Sequence, residues 1–213
     1  MTLREKLGRL DRRQQAIWLA LIWLLLPAIV RIWWDERTLP DIRGRWIGQP
    51  CEEVRSQDGL SRVKRSLRVE EDEWNLVIDF FGDEACTDGI FRFDVSGPYD
   101  LGPKSMEVRG ATTARFDLGK MLLTPLSTDA VAAFDGARCA AGGWKIGEAQ
   151  EVTEFGCLGL VPTRSSCPVE YDIVKIEDDA LHLRDRSRGL CATERYPTRF
   201  APAPLRRFEP ERP

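Results

Sequence analysis

Residues 73 to 82, EWNLVIDFFG, read as a β-strand with two unlike faces. Side chains alternate sides along a strand, so Trp74, Leu76, Ile78 and Phe80 share one face. Asn75, Val77, Asp79 and Phe81 share the other, which is mixed. The stretches around it repeat the pattern. IFRFDV (90–95) sets Phe91, Phe93 and Val95 against Arg92 and Asp94, and RVKRSLRVEE (62–71) does so more weakly through Val63, Leu67 and Val69. SMEVRG (105–110) and RFDLGKMLL (115–123) extend the series through Met106, Val108, Phe116 and Leu118. SQDG, GDEACTDG and SGPYDLGP separate the segments, and such short connections imply an antiparallel sheet.

One segment departs from period two. STDAVAAFDGARC places Ser127, Thr128 and Asp129 before a small-residue run and Gly136 after it, the pattern of a short capped helix. EYDIVKIEDDALHLRD (170–185) reads as a hairpin turning at EDD, and EEDE (70–73) as a turn. One short helix cannot cover the apolar face of so long a sheet. The sheet must curl on itself into an antiparallel barrel or half-barrel, an all-β fold with room inside for side chains or one small ligand.

The chain has 213 residues, 43% of them hydrophobic and 31% charged, which is ordinary for a folded protein. Residues 1–37 carry a net charge of +3 and the remainder −6, an acidic body that speaks against a nucleic-acid partner. Positions 16–30 form an unbroken apolar run, AIWLALIWLLLPAIV, followed by Arg31, Ile32, Trp33 and Trp34. That length approaches a bilayer-spanning helix, and Trp33 and Trp34 suit an interfacial belt. Arg4, Lys6, Arg9, Arg12 and Arg13 precede it and would keep the N-terminus cytoplasmic. No pair of small residues stands two apart between Ala16 and Leu39 to form a signal-peptidase site, so the run reads as an uncleaved anchor. The expected organisation is a basic segment (1–15), a transmembrane anchor (16–34), a linker (35–41), an extracytoplasmic domain (42–208) and a tail (209–213). The expected location is single-pass in a cell inner membrane, with the domain in the periplasm.

Six cysteines, Cys51, Cys86, Cys139, Cys157, Cys167 and Cys191, fall outside the anchor. None stands in a Cys-x-x-Cys pair and the one histidine is His182, so no metal site is expected and the count reads as disulfides. No cofactor is expected either. Catalytic signals are thin. His182, between Leu181 and Leu183, should point away from the apolar face into solvent, and no Gly-x-Ser-x-Gly elbow accompanies it. Gln150, Glu151 and Thr153 could line a mouth, although polar strand ends account for them. Trp46 and Trp144 read as structural plugs beside glycine-rich corners.

GRWIGQPCEE, FFGDEACTDGIFRFDVSGPYDL, GGWKIGEAQEVTEFGCLGLVP, VEYDIVKI and ERYPTRFAPAPLRR resemble, in order, stretches of the adenomatosis polyposis coli down-regulated 1 family, together spanning about residues 42–207. The resemblance implies an open, lipocalin-like β-barrel and an apolar pocket for acyl lipid. Animal members are surface proteins that antagonise Wnt signals. They carry two such domains and a C-terminal anchor, whereas one domain and an N-terminal anchor are expected here, and the only asparagine, Asn75, is followed by Leu76 and Val77 and forms no N-glycosylation acceptor. Wnt antagonism is therefore not carried over. The Arg-rich composition, 25 Arg against 6 Lys, fits a bacterial relative. In this light Cys51 is expected to staple the opening strand through Cys86, with Glu52 and Glu53 solvated beside it. The other four cysteines leave three pairings, of which nearness in sequence favours Cys139–Cys157 and Cys167–Cys191.

Three functions order themselves from these residues. The first is a membrane-tethered binding module for a lipid or other amphiphile, its pocket walled by Trp74, Leu76, Ile78, Phe80, Phe91 and Phe93. The second is a protein-interaction or homodimerisation domain at the cell envelope. A carboxylate-based extracytoplasmic hydrolase using Glu151 and His182 comes a distant third, and the chain reads as a non-enzyme.

Overall fold

The alternation seen around Trp74 builds a closed ring. The computed structural model describes Trp23 and residues 39–56, 59–159, 161–186, 191 and 197–209. Among them no helix is long and apolar enough to cross a membrane. The anchor expected at 16–34 lies outside the described residues except for Trp23. The basic segment 1–15 and nearly all of the tail also lie outside them.

From Pro40 onward the chain forms a unit of its own. Its strands are β1 (Gly44–Ile47), β2 (Glu52–Ser56), β3 (Gly59–Val69), β4 (Glu73–Phe81), β5 (Gly89–Lys104), β6 (Thr112–Asp117) and β7 (Lys120–Pro125). Helix α1 (Thr128–Gly136) follows, then β8 (Gln150–Glu151), β9 (Val169–Glu177), β10 (Ala180–His182) and β11 (Leu205–Arg207). Every pairing is antiparallel. The order β1-β3-β4-β5-β6-β9-β10-β11 returns to β1 and closes an eight-stranded barrel.

Register turns the sequence pattern into an interior. Leu76 lies opposite Leu67 and Val95, Ile78 opposite Arg65 and Phe93, and Phe80 opposite Val63 and Phe91. Trp74, Leu76, Phe93, Val95, Leu67 and Phe116 are buried together in one cluster. Each such large side chain stabilises by about 1.5–3 kcal/mol relative to exposure. Trp46 and Trp144 do plug corners. Trp46 is fully buried, donates from Nε1 to the Ile42 carbonyl at 2.8 Å and lies under the Arg207 guanidinium at 4.2 Å. Trp144 donates to the Cys139 carbonyl at 3.0 Å and meets Phe134 edge-on at 5.0 Å.

Two readings need correction. SGPYDLGP is not a break between strands, because β5 runs through it. A Cβ on Gly97 would lie 2.2 Å from the Asp117 carbonyl oxygen, so this glycine serves a close backbone approach inside the sheet rather than a turn. There β5 changes partner from β7 to β6. SMEVRG is the actual turn. Met106 is 98% exposed, and Ser105 Oγ accepts from the Glu107 and Val108 amides at 3.2 and 3.1 Å. The side-chain oxygen thus offers those amides an alternative to a ladder. The helix is where the cap signals place it, with Ser127 Oγ accepting from the Ala130 amide at 3.1 Å. At EDD, Asp178 and Asp179 take φ of 50° and 56°, as a tight hairpin turn requires.

Past the closed ring the sheet flares. Among the described residues strand β2 pairs with β3 alone and β8 with β7 alone, so no ladder joins them at this end. Here Phe134 of α1 meets Phe91 at 5.8 Å. Disulfides reinforce the flared end and its connections. All six cysteines are bridged, as Cys51–Cys86, Cys139–Cys157 and Cys167–Cys191.

Candidate ligand site in the open flank of the barrel

Between β2 and residues 184–186 and 199–203 the flare leaves an open cavity of about 510 Å³. This lies within the 300–1,000 Å³ range usual for small-molecule sites. Alternation selects its floor: Val54, Val63, Ile78 and Phe80 come from inward positions of β2, β3 and β4, and Phe200 and Pro202 face them. Phe80 is held flat by Phe91, the two rings stacked at 4.3 Å.

Charge lines the rest. Arg65 interrupts the inward row of β3 between Val63 and Leu67, and Glu52 meets it from β2. Arg65 Nη2 donates to Glu52 Oε2 at 2.6 Å and to the Ala203 carbonyl at 3.1 Å, while Nε reaches Oε2 at 3.0 Å. Glu52 is only 4% exposed, which corrects the expectation that it is solvated beside Cys51. Strand position explains the difference: Glu52 is an inward residue of β2, whereas Glu53 points out and pairs with Arg62 at 2.9 Å.

Deeper lies a quartet. Glu170 and Asp172 occupy successive inward positions of β9, opposite Phe116 and Ala114. Arg184 Nε donates to Glu170 Oε1 at 3.0 Å, and the Arg184 amide to Asp172 Oδ1 at 2.7 Å. Arg186 Nε donates to Glu170 Oε1 at 2.7 Å and its Nη2 to Asp172 Oδ2 at 3.1 Å. Arg184 and Arg186 both line the cavity. Buried charges require this degree of mutual satisfaction.

Burial raises the Asp172 carboxyl to about 6. Arg186 opposes the rise and Glu170 reinforces it. The group holds its proton longer folded than unfolded, so its contribution to stability is greatest below the unfolded value near 3.8, falls as pH rises and levels off above about 6. Asp83, held down to about 2 by the Asp88 amide and the Thr87 hydroxyl, titrates below that window. We expect the difference in urea midpoint between wild type and Asp172→Asn to change between about pH 4 and pH 6. A difference independent of pH would show that Asp172 does not titrate there.

Of the six expected wall residues, Ile78 and Phe80 line the cavity and Phe91 backs it. Trp74, Leu76 and Phe93 lie further along in the filled core, where Trp74 packs on Phe116 at 4.9 Å. Gln150, Glu151 and Thr153 are engaged in holding strands. Thr153 Oγ1 accepts from the Met121 amide and donates to Glu151, both at 2.9 Å, and Gln150 donates to the Gly142 carbonyl at 3.3 Å. His182 is half-buried, its ring 5.6 Å from that of Phe200, so the outward position holds but not the full solvation. No group of three metal-ligating side chains occurs among the described residues.

The family model for adenomatosis polyposis coli down-regulated 1 matches residues 31–149, more than half of the chain. The chain belongs to this family. The adenomatosis polyposis coli down-regulated 1 match takes in β1 to β7, α1, the Cys51–Cys86 bridge, the apolar floor from β2 to β4 and the Glu52–Arg65 pair. Strands β9 to β11, which close the ring, and the Glu170 quartet lie beyond it.

Proposed function

We propose that this protein is a membrane-tethered, extracytoplasmic binding module whose half-open cavity holds the chain of a lipid or other amphiphile. The observation that carries the reading is the cavity itself, with Val54, Val63, Ile78, Phe80 and Phe200 on its floor and buried ion pairs in its wall. An apolar pocket with a few convergent polar groups suits a ligand with an apolar body and a polar end. The apolar run at 16–34 and three disulfides support the tethered, oxidising location.

Detergent-free domain should take up one equivalent of a fluorescent fatty acid, displaceable by unlabelled acid, and native mass spectrometry should detect the complex. Phe80→Asp, which sets a charge on the floor, should weaken binding at least ~10-fold, a difference of about 1.4 kcal/mol, with the far-ultraviolet spectrum unchanged. Absence of saturable binding by the wild type would sink the reading.

A further inference from the structure

Arg65 and Arg186 are both largely enclosed, with side chains 10% and 15% exposed, and both line the cavity. Each spends Nε and Nη2 on partners already described. Neither Nη1 has a hydrogen-bond partner among the described residues. Enclosure does not explain this, because the one fully enclosed side-chain polar atom without a partner among those residues is Thr112 Oγ1. Neither Nη1 group is therefore wholly enclosed. A guanidinium carries five N–H donors and no acceptor, and its planar fork matches a carboxylate.

Charge narrows the choice further. Arg65 is matched by Glu52, Arg184 with Arg186 by Glu170 with Asp172, Asp185 by Arg199, and Glu53 by Arg62. The wall is thus neutral yet rich in unused donors. Its carboxylates are already engaged by guanidiniums, which leaves little for a cationic head. It can accept one negative charge far more readily than two, since each added charge in a partly desolvated site needs its own compensation.

We propose that the amphiphile bound in this cavity is a free carboxylic acid, its carboxylate accepting hydrogen bonds from the Nη1 groups of Arg65 and Arg186 while its chain lies on Val63, Ile78 and Phe80. This rests on the binding-module reading and adds the chemistry of the head. The head is recognised as a singly charged, planar oxyanion, so masking the acid as an ester removes the charge that the two arginines read.

The test is a head-group series on the intact wild-type protein in mildly alkaline buffer. Dodecanoate, methyl dodecanoate, dodecanol, dodecyl phosphate and dodecyltrimethylammonium share one chain and compete for the same fluorescent probe. Dodecanoate should bind at least ~10-fold more tightly than the ester and the alcohol, and more tightly than the phosphate. The trimethylammonium should bind weakest. Equal affinity across acid, ester and alcohol overturns the head-group assignment and leaves the binding module standing. A preference for the phosphate or the cation also overturns it, and no binding by any member overturns both proposals. Arg186→Lys keeps the charge that compensates Glu170 and Asp172 but loses the fork. It should shrink the acid-over-ester ratio, acid affinity falling several-fold more than ester affinity, a split that a merely structural role for Arg186 does not produce.

Discussion

Glu170→Ala should lower the stability of the domain by about 3–5 kcal/mol, the usual consequence of removing one member of a buried ion pair. Glu170 is 1% exposed and accepts from both Arg184 and Arg186. Without it, two guanidiniums share the single remaining carboxylate of Asp172, in a space where water reaches Arg186 only in part. The lost attraction is the smaller part of the effect; the larger is the charge left uncompensated. Replacing all four residues by apolar side chains of similar volume should recover most of the loss, because no unpaired charge then remains. Urea unfolding of the three proteins measures both steps. A loss below about 1 kcal/mol for Glu170→Ala is the value of a surface pair. It would mean that the quartet is hydrated and the barrel wetter than its geometry indicates.

The quartet also marks where sequence reading stops. Trp74, Leu76, Ile78 and Phe80 announce their strand because apolar side chains at period two have one cheap place to go. The barrel follows from the lack of helix to cover them. The interior position of Glu170 and Asp172 is written in the same alternation, four and two places before Val174 on the same face of β9. Arg65 likewise sits in the row of Val63, Leu67 and Val69. Charged residues in an apolar row weaken the strand signal, and it is easier to discount the strand than to bury the charge. Partnering decides the matter. Nothing local links Arg65 to Glu52, 13 positions away, or Arg186 to Glu170. Hairpin register brings each pair together, β2 folding back on β3 and residues 184–186 continuing past β10 beside β9. Gly97 misleads for the opposite reason: glycine between Ser96 and Pro98 has the composition of a turn, yet its role is set by the Asp117 backbone approaching from another strand. The apolar floor was therefore half legible, and the polar wall was legible only as an irregularity.

Full reduction should unfold the domain at ordinary temperature. The bridges Cys51–Cys86, Cys139–Cys157 and Cys167–Cys191 close 35, 18 and 24 residues. In the chain-entropy model each contributes about 3–4 kcal/mol, together about 10 before strain and non-additivity are counted. That equals the whole stability of a typical domain, 5–15 kcal/mol. Loop length barely ranks the three, but position does. Cys51–Cys86 ties the β1–β2 corner to the β4–β5 loop at the flared end, where β3 is the sole ladder partner of β2 among the described residues. Strand β2 carries Val54 and Glu52 into the cavity wall. Cys51→Ala/Cys86→Ala should therefore cost about 3–4 kcal/mol and also weaken amphiphile binding. A Cys167→Ala/Cys191→Ala pair should cost about as much overall and impair the opposite wall, near Arg184 and Arg186, in place of β2. Hydrogen exchange read strand by strand separates the two: faster exchange at 52–56 for the first pair, and at 183–185 for the second. If the Cys51/Cys86 variant unfolds at the wild-type urea midpoint with β2 amides unchanged, the ladder to β3 alone holds that wall, and the flare is stiffer than a one-sided strand allows.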